Sequence, residues 1–173
     1  MDSTTVFQGR VFSVRVDVVE DAGATRTIDV VEHALSYAII ARPDPAKILL
    51  VHQYRHAVGK SLWEIPAGMA EAGEDLAHGA LRELREETGY RGGRIEQLFT
   101  LFPTPGFCDE QLAFFLVDDL QSGATQFDDD EDIQTRAVGI EEALAMLDRS
   151  AIIDGKTATA LLWLDRIFRQ KLS

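Results

Sequence analysis

Apolar positions along this chain recur at every second residue in some stretches and at every third or fourth in others, and the changes of period mark its elements. Across residues 6–34, VFSVRVDVVE and TIDVVEH alternate or run in β-branched residues on either side of a polar turn, DAGATR. That pattern predicts a β-hairpin ahead of the main body of the chain. Such a hairpin has two exposed edges unless it extends the central sheet or packs on another subunit. SYAIIA and KILLVHQYR follow, parted by the turn RPDPA, and the near-continuous apolar run of the second places it centrally in a sheet. HAVGKS reads as a turn. SLWEIPAG reads as a strand that Pro66 ends, with Ala67 and Gly68 leaving the backbone bare and approachable. RIEQLFTLF, QLAFFLVDDL and TRAVGI are further strands; the loop FPTPGFCDE joins the first two, and the acidic loop QSGATQFDDDEDI precedes the last. The helical period appears at residues 74–88, in GIEEALAMLDRS, and in DGKTATALLWLDRIFRQ, where Ala158, Leu161, Leu162, Asp165 and Phe168 share a register. After the hairpin the order β, α, β, β, α, α predicts an α/β fold, a mixed sheet sandwiched between helices. No internal repeat and no linker divides it into two globular units.

The helix at 74–88 departs from ordinary amphipathicity in where its carboxylates fall. At about 100° per residue, Leu76, Ala77, Ala80, Leu81 and Leu84 fill an arc of roughly 140° that must face the core. Glu83 and Glu87 sit at the edge of that arc, and Glu87 lies within about 20° of Leu76. Carboxylates so placed lose hydration, and a buried charge without a partner is costly. Arg82 offers Glu86 a one-turn ion pair, but clustered oxygen ligands suit a hard divalent cation better. Glu74 and Asp75 suit the positive N-terminal end of the helix dipole, and Gly89 suits the C-terminal cap. On composition alone a solvated, salt-bridged helix is the reading to prefer; the spacing described below reverses it.

Length and charge narrow the setting. At 173 residues the chain is of single-domain length and long enough to bury a substantial core. A formal net charge of −12 argues against nonspecific binding to nucleic acid or to an anionic membrane surface. A protein this acidic that handles phosphates must reverse its local field with metal ions and a few arginines. The single cysteine, Cys108, excludes an intrachain disulfide framework and fits a reducing compartment. With no leader-like segment at the N-terminus and no apolar run of membrane-spanning length, the expected location is the cytoplasm. His52, His56 and His78 are not at metal-ligand spacing with one another and read as structural.

The complete spacing from Gly68 to Tyr90 is more specific. Gly68 is followed after five residues by Glu74, and after seven more by Arg82-Glu83, apolar Leu84, any residue, Glu86-Glu87, any residue, Gly89 and apolar Tyr90. Every specified position of the Nudix box is filled, and the chain resembles the Nudix hydrolases, which cleave nucleoside diphosphates linked to another moiety. Outside the box, QYRHAVGKSLWEIPAG, Pro105 fifteen residues beyond it, the FPTPGFCDE loop and the DDDEDI segment with its helical tail resemble the ADP-ribose pyrophosphatase branch. A GDP-mannose-cleaving subgroup shares much of this.

The resemblance implies a Nudix α/β/α sandwich over residues 35–173, preceded by a β segment over 1–34 that forms a homodimer. It implies hydrolysis of ADP-ribose to AMP and ribose 5-phosphate with Mg²⁺, or with Mn²⁺; the alternatives are GDP-mannose or another nucleotide sugar, and a non-catalytic nucleotide-sensing module. Glu83, Glu87 and the Ala67 carbonyl are the implied metal ligands, with Glu86 bridging metals or orienting water. Arg82 fixes the glutamates, although a plain surface pair would be worth little. Glu131 matches the general base, against the composition of a solvated loop. Arg55 is a candidate phosphate clamp, Glu64 and Glu110 candidates for metal-bound substrate or ribose hydroxyls, and Phe107 for the nucleoside pocket; each has an equally simple packing or ion-pairing role.

Overall fold

The computed structural model describes residues 2–123 and 134–171. Its N-terminal strands number three where the pattern gave a hairpin: β1 (Asp2–Gln8), β2 (Phe12–Asp21) and β3 (Ala24–His33) form an antiparallel sheet in that order. The expected hairpin is β2 and β3. Ala22 (φ 50°) and Gly23 (φ 81°) tighten its turn to two residues with positive φ, the geometry that matches strand twist. β1, short and exposed along its whole length, adds to the other edge of β2.

Two more sheets build the body of the molecule. β4 (Ser36–Ala41), β7 (Ala67–Met69), β8 (Arg94–Leu101) and β9 (Leu112–Asp118) make a mixed sheet in the order β7-β4-β9-β8, with β4 and β9 parallel. β5 (Lys47–Arg55) lies between β10 (Gln134–Gly139) and β6 (Lys60–Glu64) in an antiparallel one. The stretch SLWEIPAG, expected as one strand, is therefore two. Pro66 has no N–H to offer a ladder, and β6 and β7 on either side of it enter different sheets. A short 3₁₀ turn at His56–Val58 ends in left-handed Gly59, φ 63°.

Strand alternation divides the core in two. Ala38 and Ile40 of β4 face a layer built by Ala143 and Met146 of α2 (Ile140–Asp148) and Leu161 and Leu164 of α3 (Gly155–Lys171). Tyr37, Ile39 and Ala41 face the other way, onto Ala80 and Leu84 of α1 (Leu76–Thr88). Each fully buried aliphatic side chain of these layers contributes roughly 1.5–3 kcal/mol. The expected α/β/α layering is thus present, with α1 alone on one side. Among the described residues no helix is long and apolar enough to cross a membrane.

Candidate active site

The helix α1 is started by Asp75, whose carboxylate accepts the backbone N–H of His78 at 3.0 Å, and is stopped by Gly89, φ 73°, whose N–H donates to the Arg85 carbonyl. Glu74 therefore lies outside the helix, one residue ahead of its cap, and is free to fold back on Arg82. Arg82 donates through Nε and Nη2 to both Glu74 oxygens, at 3.1 and 3.2 Å. Its Nη1 reaches Glu83 at 2.9 Å and Glu86 at 3.0 Å. The Glu74 bond above all holds the Arg82 guanidinium far above its usual range, and the same bond holds the Glu74 carboxyl below its own. The expected pairing of Arg82 with the glutamates is present, and Glu74 is the partner it holds through two bonds.

Glu83 rests against β7. A Cβ added to Gly68 would lie 2.1 Å from the Glu83 carboxyl carbon, so the bare glycine is what lets this side chain lie where it does. Burial raises the Glu83 pKa despite the Arg82 pair, and the neighbouring Glu86 and Glu74 add to the rise. Glu87, 7% exposed, accepts the Ala67 N–H at 3.1 Å. Ala67, Gly68, Glu83, Glu86 and Glu87 thus form one continuous wall of a cleft of about 1230 Å³.

Among the described residues no three acidic, histidine or cysteine side chains close on a common point; Glu83 and Glu86 both turn onto Arg82. The donors nevertheless fit a hard divalent ion. All are oxygens, the carboxylates outnumber the one guanidinium among them, and Gly68 leaves the space a coordinating Glu83 needs. The residues that would hold it are Glu83, Glu87, Glu86 and the carbonyl of Ala67.

The facing wall comes from β5 and the start of α3, with Glu64 of β6 behind it. Glu64, 1% exposed, accepts Arg55 through two parallel bonds at 2.8 and 2.7 Å and pairs with Lys156. Lys156 also meets Asp154 at 3.0 Å, and Asp154 in turn accepts the N–H and hydroxyl of Thr157. Burial alone would push the Glu64 carboxyl up; Arg55 and Lys156 outweigh it and bring the pKa down. Glu64 consequently anchors the cation Arg55, which lines the cleft. A third side holds Glu110, which accepts the Ser36 hydroxyl at 2.8 Å with His33 at 3.8 Å, and Phe102 and Pro103.

Of the residues expected from the sequence, Arg55, Ala67, Arg82, Glu83, Glu86, Glu87 and Glu110 meet in this cleft; Glu64 does not line it, being buried behind Arg55 and Lys156, with which it pairs. Phe107 does not line the cleft either. Its loop is clamped to β3 by Val31 N–H to Phe107 carbonyl and Asp109 N–H to Val31 carbonyl bonds, and Phe107 borders a separate pocket of about 350 Å³ beside Ile28 and Val30. Phe102 is an exposed aromatic on the main cleft, which buried Tyr37 and Phe114 also border. Glu131 lies outside the described residues. Lys156 and Asp154 were missed, although a lysine in the first turn of a helix opposes the dipole and signals another purpose.

Residues 32–161 match the NUDIX domain family. The chain belongs to the Nudix family. An ADP-ribose pyrophosphatase from Bacillus subtilis is 35% identical over 162 residues, which are 92% of this chain and 88% of that protein. A methanol dehydrogenase activator from Bacillus methanolicus is 39% identical with the same coverage. A crystal structure of an ADP compounds hydrolase superposes with a TM-score of 0.86 over 100% of this chain and 94% of its own, at 19% identity, and so shares the Nudix fold.

Proposed function

We propose that this Nudix chain hydrolyses the pyrophosphate bond of ADP-ribose to AMP and ribose 5-phosphate, with Mg²⁺ as its working cation and Mn²⁺ as a substitute. The observation that carries this is the cleft itself: the carboxylates of α1 stand on one wall, and Arg55 and Lys156 on the other. A diphosphate needs both, cations for its oxygens and ligands for a metal. ADP-ribose is preferred over other nucleotide sugars on the strength of the B. subtilis relative.

A diphosphate resists attack mainly because its own oxygens repel nucleophiles. A divalent ion, when bound, screens that charge and acidifies a bound water. Arg55, fixed by Glu64, offers its remaining donors to the phosphates without having to be ordered first. Glu110 and Ser36, paired with each other on the cleft lining, are proposed to meet ribose hydroxyls. Arg82 keeps Glu83 and Glu86 at the α1 wall, and Glu131 is proposed as the base that takes the proton of the attacking water.

The N-terminal segment, residues 1–34, which carries the three-stranded sheet, is proposed as the dimerisation element of a domain spanning 35–173. Val6, Phe7, Val11, Phe12 and Ile28 stand exposed on it, an apolar surface that a second copy would cover. Light scattering after size-exclusion chromatography should give a dimer that survives dilution; a monomer counts against it. The chain is proposed to act in the cytoplasm.

The activity is tested by following ADP-ribose with and without Mg²⁺, in ¹⁸O-labelled water, beside a panel including GDP-mannose. AMP and ribose 5-phosphate should form only with metal, and ADP-ribose should have the highest kcat/KM. A higher value for GDP-mannose moves the substrate assignment, and no product from any member sinks the reading.

A further inference from the structure

The amide of Gln53 has a feature that no other described side chain shares. Its Nε2 is shielded from solvent and has no hydrogen-bond partner. Alternate residues of a strand share a face, and Leu49, Val51, Gln53 and Arg55 of β5 lie on the face that packs toward α1, where Leu49 joins the core with Ala80 and Leu84. Gln53 thus lies beside Arg55 in the lining of the cleft, which also includes Glu87 and Lys156, and its shielded Nε2 reaches the open space when the side chain turns. A shielded amide nitrogen with no acceptor forfeits its hydration and gains nothing in return. Leucine or methionine would fill the same place without that loss, so the polar group is paired in some other state of the protein.

We infer that Gln53 is a substrate-binding residue that donates from Nε2 to a phosphoryl oxygen of the diphosphate, alongside Arg55. The neighbours restrict the acceptor. Arg55 spends Nε and Nη2 on Glu64, and Lys156 is paired with Glu64 and Asp154, so each cation keeps donor capacity toward the cleft. Three donors side by side suit an oxygen-rich anion better than a base edge or an isolated hydroxyl. This rests on the reading of the cleft as a diphosphate site.

Gln53→Met removes both the donor and its unmet hydrogen bond while keeping the length of the side chain, and Gln53→Glu replaces the donor with an anion. Three quantities are measured for each: steady-state KM and kcat on ADP-ribose at saturating Mg²⁺, the melting temperature without ligand, and Mn²⁺ affinity by electron paramagnetic resonance without substrate. For Gln53→Met, KM should rise about tenfold or more, the loss expected for a hydrogen bond to a charged oxygen. Its melting temperature should hold or rise, and Mn²⁺ affinity should be unchanged. Gln53→Glu should raise KM further. A KM within twofold of wild type overturns the proposal. So does weakened Mn²⁺ binding with KM unchanged, which would make Gln53 a support for Glu87. Wild-type turnover in the same series tests the underlying reading separately. Should turnover be absent, calorimetric titration with ADP-ribose reads the same contact, and equal affinity of wild type and Gln53→Met overturns it.

Discussion

Gly68→Ala isolates the contact on which the carboxylate wall depends. Gly68 is not among the positive-φ glycines, so alanine meets no backbone strain there. What it meets is Glu83: the new methyl would lie 2.1 Å from the carboxyl carbon and 2.3 Å from Oε2. Ordinary carbon–carbon contact is about 3.5 Å, so the Glu83 carboxylate must retreat by more than an ångström. A misplacement of about 1 Å at a reacting centre can cost 10²-fold in rate, equivalent to roughly 2.7 kcal/mol on the barrier. The fold should hardly notice, because the atoms displaced are the mobile end of a side chain and alanine lowers the entropy of the unfolded chain, worth about 0.4–1 kcal/mol. The expected result is a fall in kcat/KM of about 100-fold with a melting temperature within a few degrees of wild type. Retention of kcat/KM within about threefold of wild type, far short of that loss, would refute the role given to the Gly68–Glu83 contact.

Other substitutions read other parts of the structure. Glu64→Gln leaves Arg55 and Lys156 without their counter-charge; one-sided removal from a buried pair costs about 3–5 kcal/mol, and since Arg55 is 42% exposed about 2–3 kcal/mol is expected by urea unfolding. Asp118, 13% exposed, is held below the usual carboxylate range first by its bond to Arg42 and then by Arg94. Its contribution to stability is complete above the unfolded pKa of about 3.9 and is lost as pH falls through the lower folded value. Asp118→Asn should therefore flatten the acid limb of the stability profile, and an unchanged limb rejects the pairing as its source. Thr157→Val removes the hydroxyl that accepts the Ile65 N–H at 2.8 Å inside the protein, and a loss of about 1–3 kcal/mol should follow. Asp75→Ala removes the α1 cap and should cost about 1 kcal/mol; a loss beyond 2 kcal/mol would mean the cap does more than close a helix.

The parts of the fold that were legible in the sequence are those where one residue type has one physical use. The helical wheel placed Glu83 and Glu87 beside the core stripe, and Glu87 is buried as that placement required. Pro66 was recognised as the end of a strand; that the chain resumes at Ala67 in another sheet depends on β4, which lies thirty residues upstream. β1 was missed because DSTTVFQ carries no alternation to see and is held by pairing with β2. Glu64 was expected at the substrate, and its position is set by Lys156, ninety-two residues away in sequence. Phe107 shows the opposite limit: an aromatic in a loop near the site is placed by where the loop is pinned, and Val31 pins it on β3.

Ile65 and Pro66 are all that separates β6 from β7, and that short bridge has a mechanical consequence. Glu64, at the end of one sheet, carries the cationic wall; Ala67 and Gly68, at the start of the next, carry the acidic one. The two jaws of the cleft are consecutive links of a single chain crossing between sheets, with the Pro66 carbonyl fastened to the Ile39 N–H at 2.9 Å. Any change in the angle between the sheets must therefore alter the width of the cleft. A ligand gripping both jaws acts as a cross-tie for the whole domain, and tight binding should raise its melting temperature in proportion to the logarithm of ligand concentration.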